Sequence, residues 1–439
     1  MNTRMKISLI ALILSVFSVQ GFGENPDIQP RVLTLDEALE LAGNNNPDLV
    51  AARRNLESAA RSNSGKWNSF LPNLSLNGSY TNSHNSDTNQ WNWGGSTGAS
   101  LSLDFGIPFE MRLKSAEYEA ALVSYKSLEA STLSKVATDF YSLIAEKNNL
   151  EILAQSEKLA ENLYNQNLAN YNRGLTSELD LLQSKYSYLS IRPEIDNAKS
   201  TYEANLDSFK LSIGVNEPIE LSGEMEVTEV ILPETDVLIE KYTQKSLSVQ
   251  EKIINLEKAK LSKTQGTTSA LAPTFNLSEN LSFSEGTNGN KIDVNGSFTA
   301  SVSIPLTGFI PYSETNLTLK NLDDQIASAE DELEQTITET ENSLSLLPDK
   351  ISRLWNSLDL AQMNYEIAQR AYQLSLDGYN SGLVAQTDME TARQQMISAN
   401  QAILETKNQY TSALYEAALL MNISIEEMIS EYGGNTNGQ

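Results

Sequence analysis

The sequence predicts an α+β membrane protein: a long α-helical coiled-coil barrel continuous with a transmembrane β-barrel, with four strands per chain and an internal two-fold repeat. Three observations lead there. The first is a short stretch that occurs twice. Tyr171-Asn172-Arg173-Gly174-Leu175 has Asp180 five residues past its Leu, and Tyr379-Asn380-Ser381-Gly382-Leu383 has Asp388 at the same distance. The offset of 208 also carries Tyr164 onto Tyr372 and Leu168 onto Leu376, so the chain is two duplicated halves rather than a solenoid of small units. The second is a change of period after Pro72 and again after Pro273, where apolar and polar residues alternate as in strands. The third is that, beyond the N-terminus, no run of about 18 apolar residues exists. Any membrane passage must then be made by strands.

In chain order, Arg4 and Lys6 precede an apolar run from Ile7 to Val19, with small residues at Gly21 and Gly23. This is the layout of a signal peptide over residues 1–23. The first repeat spans 24–214. Thr34 and Glu37 have the spacing of a capping box for a helix beginning at Leu35, and Pro47 opens a second helix reaching about Trp67. A hairpin over 72–107 follows, with Leu74, Leu76, Tyr80, Ala99, Leu101, Leu103 and Phe105 on one face and Ser, Asn and Asp on the other. Its strands flank a polar, Trp-bearing loop from His84 to Gly95. The apolar face meets a core in a soluble sheet and lipid in an outer-membrane barrel. A helical period then runs from Pro108 to Tyr171, which is ~90 Å of helix. Its narrow seam is Val136, Phe140, Leu143, Leu150, Ala154, Tyr164, Leu168 and Tyr171. Gly174 suits the reversal, and a helix returns from Ser177 to Ile213 with Pro193 placed to kink or break it.

Residues 215–234 form a non-helical connector with a strand-like piece from Met225 to Leu232. The second repeat, 235–424, restates the order. Its hairpin covers 273–306, with Glu279 misplaced on the apolar face. Its long helix runs from Tyr312 to Tyr379 on the seam Leu354, Leu358, Ala361, Tyr365, Ala368, Tyr372, Ser375, Tyr379, interrupted upstream by Pro348. Its returning helix runs from Thr387 to Met421, and 425–439 read as a disordered tail. In each half the two shorter helices together match the long one, so they can stack end to end beside it. Such a chain has no globular core of its own, and four strands cannot close a barrel. Two copies give eight strands, whose interior side chains would fill; three give twelve, enough for a water-filled lumen lined by Ser, Asn and Asp, which would make a trimeric tube.

Composition narrows the function. The formal charge of −26, or −28 without Arg4 and Lys6, argues against nucleic acid as a partner. The absence of cysteine excludes disulfides, thiolate metal sites and a lipid anchor on a Cys at the signal junction. One histidine, His84 in a polar loop, and no recognised catalytic motif leave no basis for an enzyme, a metal or a cofactor.

Taken together, Leu33-Thr34-Leu35-Asp36-Glu37-Ala38-Leu39, the strand starts at Pro72 and Pro273, and both Tyr-x-x-Gly-Leu stretches with their following Asp resemble the TolC-like outer-membrane efflux protein family over almost the whole mature chain. The resemblance implies a homotrimer, a twelve-stranded barrel in outer-membrane lipid and a helical tunnel through the periplasm. It implies a tip that engages a periplasmic adaptor and, through it, an inner-membrane transporter. The duct would serve tripartite efflux or type I secretion. It also implies that Asp388 lines the closed constriction, with Thr391 at the position of the family's second aspartate. Tyr379 and Asp180 match a family pair that holds the tunnel shut, while the family's Arg is Val384 here, so part of that latch is missing.

Each residue has a plainer reading beside this one. Asp180 and Asp388 suit helix starts, where a carboxylate favours the dipole. Gly174 and Gly382 are needed for chain reversal whatever the function. Leu175 and Leu383 are either adaptor contacts or buried within the hairpins. Trp91 and Trp93 are interfacial anchors or a loop cluster. The competing whole-chain reading is a structural trimeric stalk, against which the paired, antiparallel helices count.

Overall fold

The computed structural model describes residues 30–84, 89–225, 227–285 and 292–434. The signal segment expected over 1–23 lies outside the described residues. Among those residues no helix is long and apolar enough to cross a membrane.

The first half begins with β1 (Arg31–Leu33), α1 (Leu35–Asn45) and α2 (Pro47–Ser64). Thr34 caps α1 in a complete capping box with Glu37, and Asn46 caps α2 through its Oδ1. A 3-10 turn at Lys66–Phe70 leads into β2 (Asn73–His84), β3 (Asn89–Asp104), α3 (Ile107–Asn172) and α4 (Glu178–Ile213). Next come β4 (Ile219–Leu221), α5 (Thr235–Tyr242), α6 (Leu247–Leu271), β5 (Thr274–Glu285) and β6 (Ile292–Ser303). The chain ends with α7 (Glu314–Asn380), α8 (Gln386–Met421) and α9 (Ile425–Tyr432).

The four long strands form one antiparallel sheet in the order β2-β3-β5-β6, leaving β2 and β6 as free edges. Its register puts Leu74, Ala99, Glu279 and Phe298 in one row, so Glu279 does sit among apolar neighbours. The apolar face is uncovered: Leu74, Leu76, Tyr80, Val294, Phe298 and Val302 are all exposed in a single chain. β3 is longer than its sequence suggested. The Trp-bearing segment expected as loop is strand from Asn89, and Trp91 stacks on Tyr80 at 4.8 Å. Aromatic cross-strand pairing of this kind stabilises a hairpin and outweighs the local Asn and Gly content.

Below the sheet the helices lie side by side. Near the strands the order is α2–α3–α6–α7, and beyond the midpoint it is α4–α3–α8–α7. Each short pair stacks end to end beside its long helix. Asn46 Nδ2 donates to Ser212 O at 2.8 Å where α2 meets α4, and Asn422 Nδ2 donates to Lys245 O at 3.1 Å where α6 meets α8. With 66 residues, α3 is ~100 Å long.

Several expectations change. Pro193 and Pro348 lie inside continuous α4 and α7 rather than ending them. Packing of α4 on α3, and of α7 on α6 and α8, outweighs one lost backbone bond. The lower seam of α3 is buried at Leu153, Ser156, Ala160 and Asn167, whereas Ala154 and Tyr171 are exposed. The residues chosen from sequence marked its contact with α4, as the stacked Tyr164–Tyr188 pair shows, and missed the small and polar face turned to α8.

The chain also has compact packing at its waist. Leu33, Ala38, Phe140, Phe209 and Leu221 form one cluster where β1 pairs in parallel with β4. Leu238, Tyr242, Leu344, Tyr410 and Met428 form another. The strand in the connector is thus Ile219–Leu221, not Met225–Leu232, because Arg31–Leu33 supplies its partner. The tail expected to be disordered carries α9, which folds back: Val230 bridges to Gly433, and Lys241 bonds the Glu431 carboxylate and the Tyr432 hydroxyl.

Candidate functional site

The helices α3/α4 and α7/α8 reverse at two tips of the same construction. Gly174 and Gly382 take φ of +73° and +74°, a conformation that glycine adopts without steric cost. The turn then closes by backbone bonds: Leu175 N donates to Asn170 O at 2.9 Å, and Leu383 N donates to Gly378 O at 2.8 Å. Leu175 and Leu383 are not buried within the hairpins. They stand 73% and 84% exposed at the extreme end of the molecule. Val384, at the position of the missing Arg, turns inward and packs on Gly378.

Asp180 and Asp388 both occupy the first turn of a returning helix. Their surroundings differ. Asp180 is engaged in its own cap: Ser177 Oγ donates to Asp180 Oδ2 at 2.7 Å and accepts from the Asp180 N–H at 3.1 Å. Asp388 follows Ala385, which offers no side-chain cap, and is exposed. Thr391 lies three residues on and shares that face. The opposite face of α8, with Gln386, Met389 and Arg393, is buried. Asp388 and Thr391 therefore point away from the joint between the hairpins.

Tyr379 bridges the two hairpins, but its hydroxyl donates to Asn167 Oδ1 at 2.9 Å rather than to Asp180. Burial pushes its phenol pKa above the ordinary value. Asn167 is fully buried and passes the contact on, its Nδ2 donating to Gln386 Oε1 at 3.0 Å. Two turns along α8, Arg393 forms a buried ion pair with Glu390 at 2.8 Å and donates to Ser156 Oγ at 2.7 Å. Sequence reasoning missed Ser156, Asn167, Gln386, Glu390 and Arg393. A signal existed, since Gln386 and Arg393 are seven apart, the spacing of polar residues placed in one coiled-coil seam. The site holds no group of three or more His, Cys, Asp or Glu arranged to ligate a metal among the described residues.

Residues 38–215 and 238–422 match the family of outer membrane efflux proteins. The chain belongs to that family. Among solved structures, this family member is similar to the CmeC outer membrane channel of Campylobacter jejuni, with 17% identity and a TM-score of 0.71 over 90% of this chain and 88% of that one. It is equally similar to the open state of the MtrE outer membrane channel of Neisseria gonorrhoeae, at 15% identity and a TM-score of 0.73 over 89% of each chain. A curated relative, toxin and drug export protein A of Aggregatibacter actinomycetemcomitans, is 25% identical over 177 residues. That match spans 36% of this chain and 39% of the relative.

Proposed function

We propose that this outer membrane efflux protein works as a homotrimeric channel-tunnel, the passive exit duct of a tripartite efflux or type I secretion system. The observation that carries the reading is the uncovered, edge-open sheet set directly on side-by-side helices of ~100 Å. A sheet with an exposed apolar face is unstable in water, and open edges are not tolerated in lipid. Both problems vanish if β6 of one copy pairs with β2 of the next. The helical layer has the same need. The edge helix α4 shows an exposed stripe of Leu179, Leu182, Tyr186 and Leu189, and the other edge helix, α7, shows Leu360, Met363, Ile367 and Leu374. Both follow the 3–4 spacing of a coiled-coil face awaiting a neighbour.

In such a ring the exposed face of α8 lines the lower bore, so Asp388 forms a ring of three carboxylates with Thr391 one turn above it. This is the constriction, a cation-attracting filter without any chemistry of its own. Tyr379 and Asp180 flank it from the hairpin joint. The exposed Gly174-Leu175 and Gly382-Leu383 tips are the docking points for a periplasmic adaptor, which links the duct to an inner-membrane transporter. A stalk without a bore is less well supported, since the exposed Asp388 and Thr391 at one end and the Ser/Asn face of the sheet at the other have no structural use in a rod.

Single-channel conductance in planar bilayers tests the reading. Wild-type protein is expected to give a small, cation-selective conductance blocked by multivalent cations, and Asp388→Ala to lose the block. Conductance and block unchanged by the substitution would move the constriction elsewhere. No conductance from a folded oligomer would dismiss the duct.

A further inference from the structure

Where strands meet helices, exposed apolar side chains gather at two corners of the chain. Trp67, Phe70 and Leu71 precede β2, and Leu306, Phe309, Ile310 and Tyr312 follow β6. At the inner junctions the exposed large apolar residues are Phe105 and Phe275, and they pack edge-on against each other at 6.4 Å within the chain. The two corners thus coincide with the two free edges of the sheet.

The second corner is built to hold a shape. Gly308 is buried against the end of α6, where any Cβ would come within 2.7 Å of Leu271 Cδ2. Ser313 Oγ donates to Thr307 O at 2.6 Å, and Ser313 N donates to Ile310 O at 3.2 Å. On this clamped loop Tyr312 takes φ +64°, a conformation that a bulky residue rarely adopts, while 82% exposed. Its one aromatic contact among the described residues is Lys320, whose ammonium lies 5.6 Å from the ring centre. The turn from Ile310 to Ser313, with Pro311 at its second position, imposes this φ and holds the ring outward.

We propose that the corners are the two halves of one joint between copies of this chain: Phe309, Ile310 and Tyr312 of one copy close over Trp67, Phe70 and Leu71 of the next. The inference rests on the ring reading above. The joint seals the seam at the level where the β ladder has ended and the coiled-coil stripes have not begun. Lipid is the competing occupant. It would ask for the same apolar display at all four junctions and for no fixed ring orientation, whereas the display is heaviest at the edges, the inner Phe105 and Phe275 pack on each other, and the Tyr312 ring is held outward by a closed turn.

The chain has no cysteine, so a Leu71→Cys/Ile310→Cys pair can be probed cleanly with a short bismaleimide. Within one chain the corners are separated by three interhelical spacings, roughly 25–30 Å, so only an interchain product can form. Covalent dimers and trimers from the pair, and none from either single cysteine, are expected. A wild-type protein that is monomeric in detergent would sink the ring itself. An intact trimer that gives no interchain product, with Trp67 fluorescence quenched by brominated phospholipid, would keep the ring and assign the corners to lipid, overturning the joint. Tyr312→Gly adds a second check. Glycine relieves the backbone strain, so a purely local role predicts an oligomer at least as heat-resistant in SDS. The joint predicts that the oligomer dissociates at a lower temperature, and resistance equal to or above wild type would overturn it.

Discussion

At the scale of single residues, the joint between the hairpins is held by polar side chains taken out of water. The Arg393–Glu390 pair is the most costly of them, with side chains only 5% and 12% exposed. Removing one partner of such a pair leaves an uncompensated buried charge, which costs about 3–5 kcal/mol. Arg393→Ala should therefore lower the thermal unfolding midpoint markedly when followed by circular dichroism. The double change to leucine at both positions should recover most of the loss, because no charge is then stranded. Glu146 presents the reverse situation. Burial raises its carboxyl pKa above the ordinary carboxylate value, against the opposing bond from Asn205. A carboxyl whose folded pKa is raised contributes stability below its unfolded pKa and loses it as pH rises through the folded value. At neutral pH the ionised group is thus a burden. Glu146→Gln should unfold at a higher temperature near pH 7, with the advantage gone once the pH falls below the ordinary carboxylate range. Neither group was legible in the sequence, where a charge on a long helix looks like any solvated charge. Only the third dimension shows that α3 has a neighbour on each side.

At the scale of elements, the sequence was readable wherever one periodicity dominated. The alternation after Pro72 and Pro273 placed all four long strands, and the strict 4–3 spacing from Leu354 to Tyr379 marked a face of α7 that is buried or half-buried. It was misleading where two influences competed. Asn and Gly around Trp91 read as loop until its stacking on Tyr80 is seen, and Pro193 read as a break until the packing of α4 on α3 is seen. The segments at the waist gave least away, since β1 and β4 are three residues each and exist only because they pair across more than 180 positions. The tips are the most local elements, and their geometry sits in the glycine. Their exposed leucines make no packing contribution that would be missed. Leu175→Ser with Leu383→Ser should leave the unfolding free energy within about 0.5 kcal/mol of wild type while abolishing adaptor-dependent export in cells, measured as restored sensitivity to an exported compound. Export retained in the double variant would remove the tips from the docking surface.

At the scale of the whole molecule, each layer opens on one side with an element of the first half and on the other with an element of the second: β2 against β6, α2 against α7, α4 against α7. A ring built this way is joined head to tail, with two different surfaces meeting at every seam. Every copy therefore takes part in two seams, and a copy damaged at one edge leaves a gap that no amount of sound protein elsewhere in the ring can close. The trait such damage confers is genetically dominant. In a cell making sound and damaged chains in equal amounts, random assembly of threes leaves only about one ring in eight without a fault, so a single altered allele silences most of the population.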